Sequence, residues 1–318
     1  MFRYLFRRLG LGAIQVWVVI TVVFFFVFLL PGDPAHIILG SSDEYQPTPE
    51  QIERVRATLG LDQPVPVQYA KYLAGVFQGD LGNSFVNQRP VIDDLQIRLS
   101  RSLQLIIPAS IIASLLGVAV GIGAAYFRGS ALDVGLSTVS LIGFSLPVFV
   151  TGNIMVLIFA IQLDLLPSSG HVDFFIDRVR WLRYAIMPII SLSLGPTATI
   201  MRMTRASMVE QIGQDYVRTA RSKGLTKPKI VFTHALKNAL LPVVTTIGLQ
   251  VGGMFAGTML IEQVFNWPGL STLLIRAIQN RDYPIIQGTI LVSSFMFILV
   301  NLLTDLSYSF LNPRLRYD

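Results

Sequence analysis

Six stretches of this chain contain no Asp, Glu, Lys or Arg: residues 9–30, 103–127, 134–163, 184–201, 238–261 and 283–304. No other feature restricts the available folds as much. In a hydrocarbon layer about 30 Å thick every backbone N–H and C=O needs an internal partner, a condition that about 20 helical residues meet and an irregular segment does not. The composition agrees, since 52% of the 318 residues are hydrophobic and 14% charged, with a mean hydropathy of +0.58. These values exclude an ordinary soluble domain and predict an all-α polytopic membrane protein with about six transmembrane helices. Five stretches suit one crossing each. The third is longer than a straight crossing needs, and a tilt, a local break or two short helices all fit it.

Arg3, Arg7 and Arg8 precede the first stretch, a pattern shared with secretory signals. Its apolar run exceeds a signal core of about 7–15 residues, and Pro31 and Pro34 stand where a small-residue cleavage site would lie. It is therefore expected to persist as an anchor. Orientation follows from Lys and Arg in short loops. Six spans place both termini on one side, and with that side as cytoplasm the arm, 128–133, 202–237 and the tail carry 3, 1, 8 and 2 basic residues. The short outer loops 164–183 and 262–282 carry 3 and 2, and the long 31–102 loop holds six basic and nine acidic residues. The chain thus divides into a cytoplasmic arm with the first span (1–30), an extracytoplasmic cap (31–102), a core with five further spans and the basic loop 202–237 (103–304), and the end of the last span with a cytoplasmic tail (305–318).

Within the cap, "TPEQIERVRATLGL" has Thr48 or Glu50 near a helix start and Ile52, Val55 and Leu59 at helical spacing, with a stop at Gly60. "PVQYAKYLAGVFQGDLG" reads as a second amphipathic helix, so a small helical insertion is expected between the first two spans. The chain has no cysteine, which excludes disulfides, thiolate metal sites and cysteine nucleophiles.

Enzymatic signatures are weak. Gly-Lys occurs nowhere in the chain, so there is no phosphate-cradling P-loop, and any ATP chemistry belongs to a partner. Gly143-Phe-Ser145-Leu-Pro147 places a serine inside an apolar stretch, but His36, His171 and His234 all lie outside such stretches, leaving Ser145 without an obvious base. A helix kinked at Pro147, with Ser145 bonding the local backbone, accounts for the motif. No catalytic, cofactor or metal residues are expected, and no nucleic-acid partner.

The segment "YVRTARSKGLTKPKIVFTHALKNALLP" (216–242) interrupts the apolar text with charge. Tyr216, Val217, Ala220 and Gly224 share one side of a helix from which Arg218 and Arg221 diverge. Gly224 is a natural stop, and Leu225-Thr226-Lys227-Pro228 supplies a turn in which Thr226 can cap a second helix. That helix carries Ile230, Val231, Phe232, Ala235, Leu236, Ala239 and Leu240 toward Pro242. A topology signal touching anionic lipid needs only charge, whereas two amphipathic helices around a defined turn suit a mechanical contact with a cytoplasmic partner.

At these residues the chain resembles a known family. "DYVRTARSKGL" followed by "HALKNALLPVVTTIGLQ" is similar to the coupling loop of ATP-binding-cassette importer permeases of the peptide/nickel branch. Ala220 and Gly224 stand at that motif's second alanine and glycine, while Arg218-Thr219 replaces its first Glu-Ala. Pro242 lies farther from Gly224 than in the general motif, as is usual in the peptide branch. "FLLPGDPA", "LGLDQPVPVQY", "GDLGNSF", "FNWPGL", "RDYP" and "LNPRLRYD" extend the likeness over nearly the whole chain, toward the B-type permeases of dipeptide, oligopeptide and glutathione importers.

The resemblance implies a type I importer permease fold and several partners: a second, C-type permease, two cytoplasmic ATPases that hold ATP and Mg, and an extracytoplasmic binding protein that delivers substrate. It implies a coupling site of Asp215, Tyr216, Arg218, Ala220, Arg221, Lys223, Gly224, Leu225, His234, Asn238 and Pro242, in which Gly224 permits the turn, Ala220 close packing, and the basic residues meet acidic rims. Gly248, Gln250, Gly252, Gly253 and Gly257 are expected to pack against the second permease, or to line the pathway. Gln104, Asn153 and Gln162 are candidates for interhelical hydrogen bonds or substrate contact, and Asp305 for a partnered structural carboxylate. Phe265, Trp267 and Pro268 are candidates for binding-protein docking or an outer gate, with loop packing or interfacial anchoring as the other reading of Trp267. A nickel or metal-chelate permease is the near alternative. An ion-coupled carrier or channel is the distant one, and it predicts intramembrane carboxylates or histidines that the six stretches lack.

Overall fold

The computed structural model describes residues 2–29, 35, 39, 47–59 and 61–311. His36, Gly60, the 30–34 part of the "LLPGDPA" stretch and the 312–318 tail lie outside the described residues. Among those described, every regular element is helical: α1 (Phe2–Leu29), α2 (Pro49–Leu59), α3 (Val65–Gln78), α4 (Val91–Tyr126), α5 (Ala131–Ser145), α6 (Val148–Gln162), α7 (Arg178–Ile212), α8 (Asp215–Ser222), α9 (Lys227–Val264), α10 (Leu270–Gln279) and α11 (Tyr283–Leu311). Helices α1, α4, α7, α9 and α11 are each long and apolar enough to cross a membrane.

The third apolar stretch is the broken one. Its two halves, α5 and α6, meet at a bend of 100°. Pro147 supplies no N–H to continue α5, and the residue before a proline is driven to extended backbone, which is where Leu146 lies with ψ 124°. Ser145 donates its hydroxyl to the Leu141 carbonyl at 2.9 Å, as expected of a serine rebonding its own turn. The end of α6, Val156–Gln162, widens into a π-helix.

The chain forms two units: Met1–Gly10, Leu103–Trp267 and Phe297–Asp318 in one, Leu11–Ser102 and Pro268–Met296 in the other. In the first, α7 is the central helix, burying Met187, Ile189, Leu192 and Ile200 with Leu105, Ile106, Val243 and Ile261. Its approach to α4 depends on two glycines. A Cβ on Gly117 would stand 2.8 Å from the Ile200 Cβ, and one on Gly121 would stand 2.6 Å from the Thr204 Cβ and 2.7 Å from the Met201 carbonyl. This is small-residue packing at a four-residue interval, the usual way membrane helices come close. Prolines 108, 188, 196 and 242 sit inside helices, where serine and threonine hydroxyls bond nearby carbonyls, as Ser110 does to Ile106 at 2.6 Å and Thr246 to Pro242 at 3.0 Å.

In the second unit, Thr48 and Gln51 form a reciprocal capping box on α2, with the Thr48 N–H donating to the Gln51 side chain at 2.8 Å and the Gln51 N–H to the Thr48 hydroxyl at 3.4 Å. Helix α3 ends on Gly79, whose φ of +77° closes the last turn. A tight turn over 82–91 is pinned by Asp282: its carboxylate accepts from the Ser84 hydroxyl and, at 3.0 Å, from the Phe85 N–H. The "GDLGNSF" and "RDYP" motifs are therefore two sides of one contact. Val91, Leu95, Leu270, Ala277, Tyr283, Ile285 and Ile286 form the core beside it.

Candidate functional site

The basic segment folds as a short helix, a turn and the start of a long one. Asp215 opens α8 with a carboxylate in the first turn, favourable at a helix N-terminus. The helix stops because Gly224 takes φ +80°, a conformation costly to other residues. The Gly224 N–H then bonds the Arg221 carbonyl at 2.9 Å and the Leu225 N–H that of Ala220 at 3.3 Å, closing the end of α8. Leu225 folds back over Val217, Ala220 and Ile230, making a small apolar core inside the segment. Thr226 takes the N-cap position of the next helix, but its side chain makes no capping bond.

The second helix runs into the span: it is the first part of α9, continuous from Lys227 to Val264, with a π-helical stretch at Ile230–Ala235. Two expectations are corrected here. The apolar face of that helix is largely covered by this chain: Val231, Ala235 and Ala239 are buried with Ala125 and Met208, flanked by Ile122, Tyr126 and Ile212. Ala220 likewise packs inward, so the surface left for another protein is formed by Tyr216, Arg218, Arg221, Lys223, Gly224 and Phe232, all exposed. Tyr216 donates its hydroxyl to the Gln211 side chain at 2.9 Å. Arg218 and Asp215 form an ion pair at 3.4 Å with both side chains in solvent, a contact that adds little stability. His234 is half-buried in the π-helical stretch, Asn238 exposed and Pro242 half-buried within α9.

The segment is fastened to the helices beneath it. Ser207 of α7 donates to the Ala239 carbonyl at 2.9 Å, and the Lys227 ammonium donates to the Tyr126 carbonyl at 2.7 Å. Nearby, Asp133 receives both arms of the Arg205 guanidinium, at 2.6 and 2.9 Å, and the Gly129 N–H at 3.0 Å. This bidentate, charge-assisted pair joins α5 to α7. Sequence reading missed Lys227, Asp133 and Arg205 as structural partners. The available signal was that Asp133 and Arg205 are charges flanking the third and fourth apolar stretches.

The glycines of α9 divide. A Cβ on Gly252 would meet the Phe297 ring at 2.9 Å, and one on Gly248 would overlap Thr304 of α11. Those two glycines serve packing within the chain. Gly253 has nothing within 4 Å of its Cβ position and lies with Leu249, Ala256 and Leu260 on an exposed stripe, while Gly257 approaches Leu192 at 3.6 Å. Gln250 is half-buried. Gln104 accepts from the Trp181 indole N–H at 2.8 Å, an interhelical bond, whereas Asn153 donates to the Phe149 carbonyl one turn back and Gln162 is exposed. Asp305 pairs with Arg8 at 2.7 Å.

Phe265 and Trp267 present no docking surface. Both are fully buried in the core of the first unit, Trp267 edge-on to the His171 ring at 4.6 Å, so loop packing is their role here. Pro268 is half-buried, and its carbonyl accepts from Arg98 at 3.1 Å.

Known proteins match this arrangement over its full length. Residues 117–317 match the family described as binding-protein-dependent transport system inner membrane component, and residues 1–106 match the N-terminal component of such membrane proteins. The dipeptide transport system permease protein of Escherichia coli K12 is 42% identical over 341 aligned residues, covering 100% of this chain and 99% of the relative. The glutathione transport system permease protein of Escherichia coli O6:H1 is 42% identical with 100% of both chains covered. Among solved structures, an inward-facing MetNI methionine ABC transporter aligns with a TM-score of 0.56 at 17% identity, over 69% of this chain and 96% of that one, a likeness of fold.

Proposed function

The chain belongs to the family of inner membrane components of binding-protein-dependent transport systems, and from that premise we propose that it is the B-type permease of an ATP-driven importer of di- or oligopeptides, or of peptide-like solutes such as glutathione. A binding protein delivers the solute to the extracytoplasmic side, where the cap around 31–102 offers α3 with Val67 and Phe77 exposed. A C-type permease completes the pathway, and two cytoplasmic ATPases hold ATP and Mg. This chain contributes no catalytic residue. With α5 and α6 counted as one crossing, six spans put both termini in the cytoplasm, the side that also receives the eight basic residues of 202–237.

The observation that carries this reading is the exposed Gly224 turn at the head of the continuous helix α9. An ATPase groove that closes on the turn displaces a helix that crosses the membrane, and closure becomes alternating access. The test uses the assembled complex in proteoliposomes. Gly224→Arg is expected to abolish substrate-stimulated ATP hydrolysis and uptake. Wild-type values for both would falsify the docking role, and uptake that survives removal of the ATPases would point to an ion-coupled carrier instead.

A further inference from the structure

The turn between α4 and α5 sits against the base of the coupling segment, and polar contacts join the two. Lys227, the first residue of α9, places its ammonium 2.7 Å from the Tyr126 carbonyl and 4.2 Å from the centre of the Tyr126 ring. One residue thus offers the cation two electron-rich partners, a carbonyl at the C-terminal, negative end of a helix and an aromatic face. The apolar layer of Val231, Ala235 and Ala239 against Ala125 and Met208 lies next to this contact. Three residues beyond Tyr126, Gly129 takes φ +84° and donates to Asp133, which holds Arg205 of α7. The Ser207–Ala239 bond joins α7 back to α9. The contacts form a closed circuit through α9, the end of α4, the start of α5 and α7.

We propose that Lys227 is a positioning residue that clasps the coupling segment to the α4–α5 turn, so that movement of the segment enters the membrane through α4 and α5 as well as through α9. The inference rests on the coupling role proposed above. A displaced Gly224 turn would swing the start of α9, and without the clasp that start slides past Tyr126 instead of carrying it along. The charge is essential to this role, since a neutral side chain of similar length keeps the packing but loses both the carbonyl bond and the ring attraction.

The experiment compares the reconstituted complex with wild-type chain, Lys227→Met, Lys227→Arg and Tyr126→Leu, measuring uptake of a labelled dipeptide or glutathione together with ATP hydrolysis. Lys227→Met is expected to assemble and hydrolyse ATP normally while uptake per ATP falls by roughly tenfold, equivalent to about 1.4 kcal/mol of coupling. Lys227→Arg restores most of the ratio, and Tyr126→Leu, which keeps the carbonyl and removes the ring, gives an intermediate loss. Wild-type uptake per ATP in Lys227→Met overturns the inference. Should that variant fail to assemble, the other two decide: a ratio kept by Arg and lowered by Leu supports the clasp, and a wild-type ratio in both overturns it. A wild-type complex without ATP-driven uptake removes the transport reading itself, an outcome seen before any variant is compared.

Discussion

Gly248 and Thr304 compete for one volume: a Cβ built on Gly248 would overlap both the hydroxyl oxygen and the methyl carbon of Thr304. That hydroxyl is held on the Val300 carbonyl at 2.8 Å, so it has little freedom to swing aside. Gly248→Ala is expected to destabilise the chain by about 1–3 kcal/mol, the usual cost of overpacking a tight contact. Adding Thr304→Gly should recover part of the loss. Thermal unfolding in detergent reads both, and an unchanged midpoint for Gly248→Ala would contradict the helix contact.

Gly253 is the opposite case, with open space where its Cβ would lie. Gly253→Leu is expected to change the stability of the isolated chain by less than about 0.5 kcal/mol, as surface substitutions do. On the proposal that a second permease meets the stripe of Leu249, Gly253, Ala256 and Leu260, the same variant lowers co-purification of that proposed subunit. Undiminished recovery of the pair would remove the stripe from the proposed interface.

Asp282 is buried, and two donors from the 82–91 turn depend on it. Asp282→Ala leaves the Ser84 hydroxyl and the Phe85 N–H without that acceptor, at about 1–3 kcal/mol for each group left unsatisfied. Faster hydrogen exchange is expected at Phe85, with α8 unaffected. Uniform protection across the turn in the variant would show that the pin is dispensable.

Tyr72 carries a buried hydroxyl with no hydrogen-bond partner among the described residues. Burial pushes its phenol up from 10.0 to about 12, because the anion is poorly solvated there. Unfolded chains ionise this group first, so the raised value favours folding below pH about 10 and that contribution is lost as pH climbs through about 12. Tyr72→Phe should be as stable as wild type at neutral pH or more so, by about 1 kcal/mol, and should lack this part of the alkaline decline. Parallel stability curves for the two proteins between pH 9 and 12 would refute the assignment.

Local pattern made much of the fold readable. Charge-free runs located the spans because lipid penalises ions wherever they fall, and Thr48-x-x-Gln51 and Gly79 follow from cap chemistry that a short window contains. Residues 134–163 read as too long for one straight crossing, and Pro147 accounts for the bend. Helix ends were less legible. Helices α4 and α7 run well past their apolar stretches, since a helix continues through polar residues when tertiary contacts such as Arg205–Asp133 hold its ends. Partner choice was not legible either: Gly248 and Gly253 look alike in sequence, yet one faces α11 and the other an open stripe. For Trp267 the FNWPGL motif is compatible with docking, anchoring or loop packing alike, because burial of a loop against His171 leaves no periodic trace. In the basic segment 216–242, the Gly224 turn followed from residue type, whereas the inward packing of Ala220 required knowing where Leu225 and Ile230 fold back.

The unbroken run of α9 from Lys227 to Val264 has a consequence in simple trigonometry. Thirty-eight residues at a rise of about 1.5 Å make a rod of about 57 Å. Pivoted near its middle, such a rod tilted by about 5° carries each tip through about 2.5 Å, roughly the width of a water molecule. Angular changes too small to disturb side-chain packing along the shaft would therefore suffice to admit or exclude solvent at its far end.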